Sequence, residues 1–154
     1  MALPRVRIAK DKAELVQKLL EAKGTTGAFA TYADIIAFAA SLGAKYRRRS
    51  ELAEISQNEP APINLEIFIS RGYDRLIKLI AVMETQDIQI LSTEDAAAEK
   101  QRVSIFEAYA NGGLEKLSYE LRGAVDYTER LVLILNSERY SIEEDEEFDL
   151  SKFL

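Results

Sequence analysis

The 154-residue chain contains neither cysteine nor histidine. Without cysteine it can form no disulfide, thiolate nucleophile, iron–sulfur cluster or cysteine zinc site. Without histidine it lacks the usual general base at neutral pH and the commonest metal ligand. Carboxylate chemistry remains, either as Mg²⁺ bound by Asp or Glu or as a carboxylate pair acting as acid and base. No Asp-x-Asp or Glu-x-Lys arrangement marks an apolar strand end, so we expect no enzymatic activity, no cofactor and no bound metal.

Long apolar runs are also missing. No run approaches the roughly 20 residues that a membrane-spanning helix needs, and the start of the chain lacks the apolar core of a signal peptide. We therefore expect a cytoplasmic protein without membrane contact. Hydrophobic residues make up 47% of the chain, enough to build the core of one domain. We expect a single helical domain over residues 1–139 and an acidic, flexible tail over residues 140–154.

Apolar residues recur at helical spacing through most of the chain, which predicts a mainly α fold of about six helices. Capping signals support three of the helix starts, Asp11 with Glu14, Thr31 with Asp34, and Asp126 with Glu129. Ser92 or Thr93 is the expected cap of a later helix. The helix over residues 33–42 is apolar on nearly every side, so it is buried in the core or against a partner. This helix leaves room for a homodimer.

Residues 44–62 carry many polar residues and few apolar ones, which predicts a long surface loop. The following segment alternates apolar residues with others through Ile63, Leu65, Ile67 and Ile69. Alternation with period two is typical of a strand. We therefore expect a short strand or hairpin near residues 63–69, although the same segment could open the next helix.

An Asn-Gly-Gly sequence at residues 111–113 lies between two apolar stripes. The stripes consist of Val103, Phe106 and Ala110 before it and Leu114, Leu117 and Leu121 after it. Glycine readily adopts the left-handed conformation that ends a helix. We therefore expect a sharp corner between two helices here, rather than a ligand-binding loop.

Three blocks of sequence lie in order and together span most of residues 10–135: Thr31–Gly43, Ile63–Leu91 and Ile105–Leu117. In these blocks the chain resembles the family called Dnd system-associated protein 4, which accompanies bacterial gene sets for DNA phosphorothioation. In that modification, sulfur replaces an oxygen of the DNA backbone phosphate. The resemblance implies a place in DNA modification, restriction or antiviral defence, with other proteins of such a system as partners. It implies no molecular activity for any named residue.

Charge is distributed unevenly along the chain. Residues 1–60 carry ten Lys and Arg against seven Asp and Glu, a balance of +3, whereas residues 61–154 carry ten against nineteen, a balance of −9. Guanidinium and ammonium groups neutralise phosphates and release counterions, so basic residues of the first part are candidates for contact with double-stranded DNA. The candidates are Lys10, Lys12, Lys45, Arg47, Arg48 and Arg49. A solvated turn, or an intramolecular match for the acidic tail, is the alternative interpretation.

The predicted order strand, helix, helix over the first 43 residues resembles the ribbon-helix-helix DNA-binding dimers. In that fold the outward side chains of the strand read the major groove, and here they would be Arg5, Arg7 and Ala9. The loop over residues 24–30 is longer than the usual turn of that fold. The rest of the chain has no counterpart in it.

The C-terminal segment combines acidic residues with apolar ones. The apolar residues are Phe148, Leu150, Phe153 and Leu154. Acidic segments with aromatic anchors can dock into a groove of a partner whose rim is basic. We expect these residues to bind a partner or to fold over the arginine residues, with a merely solubilising end as the alternative.

Three functions are consistent with these patterns. The favoured one is an accessory, non-enzymatic component of a DNA phosphorothioation modification or restriction system, acting as a protein–protein adaptor with contact to the DNA backbone. The alternative is a sequence-tolerant DNA-binding regulator, ribbon-helix-helix-like at its N-terminus. An enzyme ranks third, because it would need carboxylates clustered in a cleft. Its candidates are Glu66, Asp74, Glu84 and Asp87.

Overall fold

The computed structural model describes residues 4–22 and 26–151, with side chains as far as residue 140. This part of the chain contains six α-helices and one two-stranded sheet, so the predicted mainly α fold is confirmed. The elements are β1 (Arg5–Val6), α1 (Ala13–Leu19), α2 (Tyr32–Lys45), β2 (Ile63–Asn64), α3 (Leu65–Ser70), α4 (Asp74–Thr85), α5 (Ala96–Glu120) and α6 (Tyr127–Ser151). Short 3₁₀ helices cover Lys10–Lys12 and Ile88–Leu91.

Helices α2 and α5 form the centre of the fold and make its most extensive packing contact. Both are buried on most of their surface, which agrees with the apolar character of residues 33–42. Phe106 on α5 is fully buried and meets the ring of Phe68 on α3 edge to face, with ring centroids 5.5 Å apart. Helix α4 and strand β1 also pack against α5. Helix α5 therefore positions α2, α4 and β1.

The predicted corner at residues 111–113 is wrong, because α5 runs through it without a break. The two glycines serve close helix packing instead. A Cβ atom on Gly113 would lie 2.6 Å from the carbonyl carbon of Ala39 on α2 and closer still to its oxygen. Gly43 faces this point from α2, and a Cβ there would lie 3.0 Å from the backbone nitrogen of Gly113. The glycines thus let the two helix backbones touch.

Of the predicted caps, Asp126 is confirmed for α6, because its Oδ1 accepts a hydrogen bond from the backbone N–H of Glu129 at 3.1 Å. Thr31 is likewise confirmed for α2. Its Oγ1 accepts a hydrogen bond from the backbone N–H of Asp34 at 3.2 Å. Helix α1 begins at Ala13 without a side-chain cap, because Asp11 lies in the preceding 3₁₀ turn. Asp95, rather than Ser92 or Thr93, caps α5 by accepting from the N–H of Ala97 at 2.9 Å.

Residues 63–69 form a strand only at their start. Arg5 and Val6 of β1 pair antiparallel with Asn64 and Ile63 of β2, after which α3 begins at Leu65. The predicted strand is wrong beyond Asn64, because burial follows helical spacing. Leu65 and Phe68 are buried three residues apart.

Helix α6 continues through residues 140–151, the segment for which a flexible tail is predicted from sequence. The structure describes the backbone of Phe148 and Leu150 but not their side chains, and Phe153 and Leu154 lie outside the described residues. The domain boundary at residue 139 and the partner-binding role of these four residues stay predictions. In the part of the chain that the structure describes, no helix is both long and apolar enough to cross a membrane.

Candidate functional site

The segment after α2, which carries three of the candidate arginines, is fixed along α5. A Cβ on Gly112 would lie 2.6 Å from the carbonyl carbon of Arg48, so this glycine lets the segment approach the helix. The backbone N–H of Ser50 donates to the carbonyl oxygen of Ala108 at 3.0 Å. Asn111 donates from Nδ2 to the carbonyl oxygen of Ser50 at 3.2 Å. The predicted long surface loop is therefore present over residues 46–62, and part of it is held against α5 by these hydrogen bonds.

The later part of the same segment holds the N-terminal residues in place. The N–H of Ser56 donates to the carbonyl oxygen of Ile8 at 2.8 Å, and the N–H of Lys10 donates to that of Glu54 at 2.9 Å. Ser56 is buried. This packing brings Lys10 and Lys12 to the segment that carries the arginines.

We call the six candidate DNA-contacting residues the basic cluster: Lys10, Lys12, Lys45, Arg47, Arg48 and Arg49. Five of the six already form ion pairs with carboxylates of the same chain. The pairs are Lys10–Glu54 at 3.6 Å, Lys12–Asp11 at 3.2 Å, Arg48–Glu115 at 3.3 Å, Lys45–Glu138, and Arg49 with both Glu84 and Glu51. The cluster is therefore largely neutralised by its own protein.

Arg47 is the exception. It is exposed and has no carboxylate of the described residues within ion-pair distance, although its charge helps to lower the pKa of Glu84. Its φ of 50° lies in the left-handed region, which carries the chain from α2 onto the surface of α5. Arg47 is thus the cation of the basic cluster that remains available to another molecule.

A surface depression of about 390 Å³ lies beside the basic cluster. Its wall contains Lys12, and it also contains Glu115, which binds Arg48. The other carboxylates in the wall, Asp11 and Glu51, are likewise ion-paired. The lining of the depression therefore carries charges of both signs, and these charges are already paired within the protein.

Tyr119 at the edge of this depression is a feature that sequence reasoning missed. The guanidinium carbons of Arg48 and Arg122 lie 5.5 Å and 5.3 Å from the centre of its ring, within the range of cation–π attraction. Arg48 lies 71 positions before Tyr119 in the chain, so no local pattern could reveal the contact. The Tyr119 ring covers one face of the Arg48 guanidinium, which Glu115 already binds. Less of this group is therefore open to a phosphate.

Three carboxylates are each held by one cation and one tyrosine hydroxyl, and each joins separate elements. The triads are Asp34 with Arg71 and Tyr73, Glu84 with Arg49 and Tyr109, and Glu138 with Lys45 and Tyr46. The first fastens α2 to the α3–α4 corner, and the second fastens the arginine segment to α4 and α5. The third fastens α6 to the end of α2. Two members of the basic cluster are thus structural ties.

These contacts shift the pKa values of the groups involved. Hydrogen bonding from Tyr109, and then from Arg49, holds the pKa of Glu84 below its usual range despite partial burial. Burial would raise the pKa of Glu138, but the hydrogen bonds from Lys45 and Tyr46 outweigh it and lower the pKa. Burial, followed by the hydrogen bond to Glu138, raises the pKa of Tyr46 to about 12. Both carboxylates are therefore ionised at neutral pH.

We expect Glu84→Gln to lower stability at pH 7 and to have a diminishing effect in acid. A folded-state pKa below the unfolded value means that ionised Glu84 stabilises the fold above pH 4.5, its ordinary value, and that this contribution is lost as the pH falls further. Urea unfolding of both proteins at pH 7, 5 and 3 measures the effect. Glu94→Gln, at an exposed position, is the matched control. A gap between wild type and Glu84→Gln that stays constant down to pH 3 would contradict the assigned contacts.

Strand β1 does not support the ribbon-helix-helix interpretation. It pairs with β2 of its own chain. The Arg7 guanidinium donates two hydrogen bonds of 3.0 Å to the buried carboxylate of Glu107, and Ala9 is buried. Two of the three residues predicted to read a DNA groove are therefore engaged within the fold.

The carboxylates considered for an enzyme are separated into structural roles. Asp74 pairs with Lys78 at 2.8 Å, and Asp87 caps a 3₁₀ turn by accepting from the N–H of Gln89 at 3.0 Å. Glu84 belongs to the Arg49 triad, and Glu66 is exposed on α3. Within the described ranges, no three acidic residues are grouped so that they could hold a metal ion.

Comparison with known families identifies one to which this chain is similar over nearly its whole length. The sequence model of a family described as DNA sulphur modification system-associated protein 4 matches residues 5–153, nearly the whole chain. No curated protein and no solved structure matches it. The resemblance found in three blocks is thereby confirmed, and the family's description associates its members with a DNA sulphur modification system.

Proposed function

We propose that this chain, which belongs to the DNA sulphur modification system-associated protein 4 family, is a non-enzymatic protein–protein adaptor of its modification or restriction system. The observation that carries the proposal is the internal pairing of five of the six residues in the basic cluster. A surface evolved mainly to hold phosphates would leave its cations free. Here two of them, Lys45 and Arg49, tie separate elements of the fold together through Glu138 and Glu84.

Pairing also limits what DNA could gain from this surface. Affinity for a DNA backbone comes largely from counterions released as cations neutralise phosphates. A phosphate that binds Arg49 or Lys45 must displace a carboxylate of the protein, which then lies unpaired beside a second negative charge. The net gain per contact is therefore small, and an adaptor role fits the arrangement better than the alternative of a DNA-binding regulator.

A weak contact with the DNA backbone is a second candidate function, favoured by Arg47. It is exposed and unpaired among the described residues, and Lys10 is exposed with only a loose ion pair at 3.6 Å. Two such cations would give binding that is insensitive to sequence and steeply weakened by salt. This contact would help an adaptor stay near its substrate without making it a DNA reader.

Size-exclusion chromatography with light scattering tests the adaptor proposal. The full-length protein is mixed in turn with each purified protein encoded with the modification system, at about 150 mM salt, where exposed charges are largely screened beyond about 8 Å. We expect a stable complex with at least one of them. The absence of a complex with every protein of the system would overturn the adaptor proposal.

A parallel titration with duplex DNA, both ordinary and phosphorothioated, tests the second candidate. We expect weak binding that is detectable at about 50 mM salt and lost by about 200 mM, and that Arg47→Ala reduces further. Arg75→Ala removes an exposed arginine outside the basic cluster and is the matched control. Tight binding that survives 200 mM salt would instead favour the DNA-binding regulator. Equal weakening by the two substitutions would eliminate Arg47 as the contact.

A further inference from the structure

Helix α6 is held to the rest of the protein by few side chains. Over residues 127–140, where its side chains are described, only Leu131 and Ile134 are buried. Helix α5, which is equally long, has 14 buried residues among its 25. Because burial of apolar surface is the main force that holds helices together, α6 is attached far more weakly than α5.

The segment between α5 and α6 can serve as a hinge. It covers residues 122–126, in which Arg122 and Ala124 each donate a backbone N–H to the carbonyl oxygen three residues earlier. Gly123 has a φ of 76°, and a Cβ there would meet no atom within 4 Å. Val125 is 95% exposed. Changes in the backbone angles of this segment would therefore not disturb the core.

Polar groups fasten α6 near its start and again three turns later. Thr26 accepts a hydrogen bond at Oγ1 from the N–H of Tyr127 at 2.9 Å, close to the hinge. Far from the hinge, the carboxylate of Glu138 accepts from the ammonium of Lys45 and the hydroxyl of Tyr46. Among the described residues Lys45 forms no other ion pair. Opening of α6 would therefore remove the carboxylate that neutralises Lys45.

Lys45 lies at the end of α2, two residues before Arg47. While Glu138 binds Lys45, the unpaired cation in this part of the described chain is Arg47. Opening would add the ammonium of Lys45 beside the guanidinium of Arg47. Two neighbouring cations bind a phosphate backbone better than one, and each further phosphate contact steepens the dependence on salt.

We propose that α6 is an autoinhibitory strap, which opens about residues 122–126 while the rest of the fold stays intact. In the closed position Glu138 keeps Lys45 from a phosphate backbone, and in the open position Lys45 joins Arg47. The proposal rests on the second candidate function, the weak contact with the DNA backbone, and adds its regulation. Because a phosphate that binds Lys45 binds the open form alone, it shifts the population toward that form.

A chain without cysteine allows the opening to be measured with single introduced cysteines. Ile134→Cys on α6 and Val103→Cys on α5 are matched probes, because the native side chains are 8% and 7% exposed. Val132→Cys on α6 gives the reactivity of an exposed thiol. We expect dithionitrobenzoate to modify Ile134→Cys at least about 100-fold faster than Val103→Cys in the folded protein, because local opening costs less free energy than global unfolding.

Glu138→Ala should raise the labelling rate of Ile134→Cys about tenfold, because it removes the charge-assisted hydrogen bonds that close the strap. Glu129→Ala removes the same charge from an exposed position of α6 and is the matched control. It should leave the rate nearly unchanged. Hydrogen exchange on the unmodified chain checks that the cysteine does not itself create the opening. Residues 131–138 should exchange faster than residues 103–114.

Titration with duplex DNA at about 50 mM salt tests the consequence for binding. Glu138→Ala should lower the Kd by about threefold or more, and it should steepen the slope of log Kd against log salt by about one. Glu129→Ala makes the same change in net charge and should lower the Kd less. Adding Lys45→Ala to Glu138→Ala should return the Kd to that of the wild type.

The outcomes separate this inference from the function on which it rests. Equal labelling of Ile134→Cys and Val103→Cys, with equal hydrogen exchange in the two helices, would overturn the strap and leave the weak DNA contact standing. A strap that opens, with equal effects of Glu138→Ala and Glu129→Ala on the Kd, would overturn the autoinhibition. No DNA binding by either the wild type or Glu138→Ala would overturn the second candidate function together with the autoinhibition.

Discussion

Gly113→Val should destabilise the protein by about 3 kcal/mol, at the upper end of the cost of overpacking a core. The added side chain would meet the backbone of Ala39, which cannot move aside without shifting all of α2. Gly43 lies at the same crossing, so the helices have no spare distance. Valine itself favours a helix more than glycine does. Helix propensity alone would make the valine variant more stable. A loss of stability would therefore measure the clash between α2 and α5.

Urea unfolding followed by circular dichroism measures this loss. Ser104→Val places the same β-branched side chain at an exposed position of α5 and should change stability by no more than about 0.5 kcal/mol. Equal stability of the two variants would show that α2 and α5 do not touch at Gly113.

Phe106→Ala should cost about 3–5 kcal/mol, as expected for the loss of a fully buried aromatic ring. The ring has no exposed surface, and its edge-to-face contact with Phe68 ties α3 to α5. Truncation would remove this contact and leave a cavity at the centre of the fold. Aromatic pairs contribute about 0.5–1.5 kcal/mol beyond the area they bury.

Thermal and urea unfolding of the purified variant provide the measurement. Leu79→Ala on the exposed side of α4 is the control and should shift stability by no more than about 0.5 kcal/mol. A Phe106→Ala protein as stable as this control would show that the buried face of α5 is wrongly assigned.

Features that depend on neighbouring residues could be predicted from the sequence. Thr31 caps α2 because its acceptor and the N–H of Asp34 are three residues apart. The buried character of α2 follows from its composition. Gly113 was misinterpreted because a glycine that breaks a helix and a glycine that admits another helix look alike until the partner, Ala39, is known. Among the described residues the number of helices agrees with the prediction partly by compensation, since α5 merges two predicted helices and α3 occupies most of the segment predicted as a strand or as the start of the next helix.

For the candidate site, too, some features could be predicted from the sequence and others could not. The basic residues were evident from composition, but their availability depends on partners far along the chain. Glu138 lies 93 residues after Lys45, and Glu84 lies 35 residues after Arg49. No local pattern encodes such pairs.

Hydrogen–deuterium exchange on the full-length protein tests the central claim, that this family member acts through protein contacts rather than through DNA. Exchange is compared for the protein alone, saturated with its co-eluting system protein, and mixed with duplex DNA. The account predicts slower exchange in at least one surface segment of the protein complex and no comparable change at residues 45–49 with DNA at about 150 mM salt. Slower exchange at residues 45–49 with DNA, and no slower exchange in any segment with any protein of the system, would contradict it.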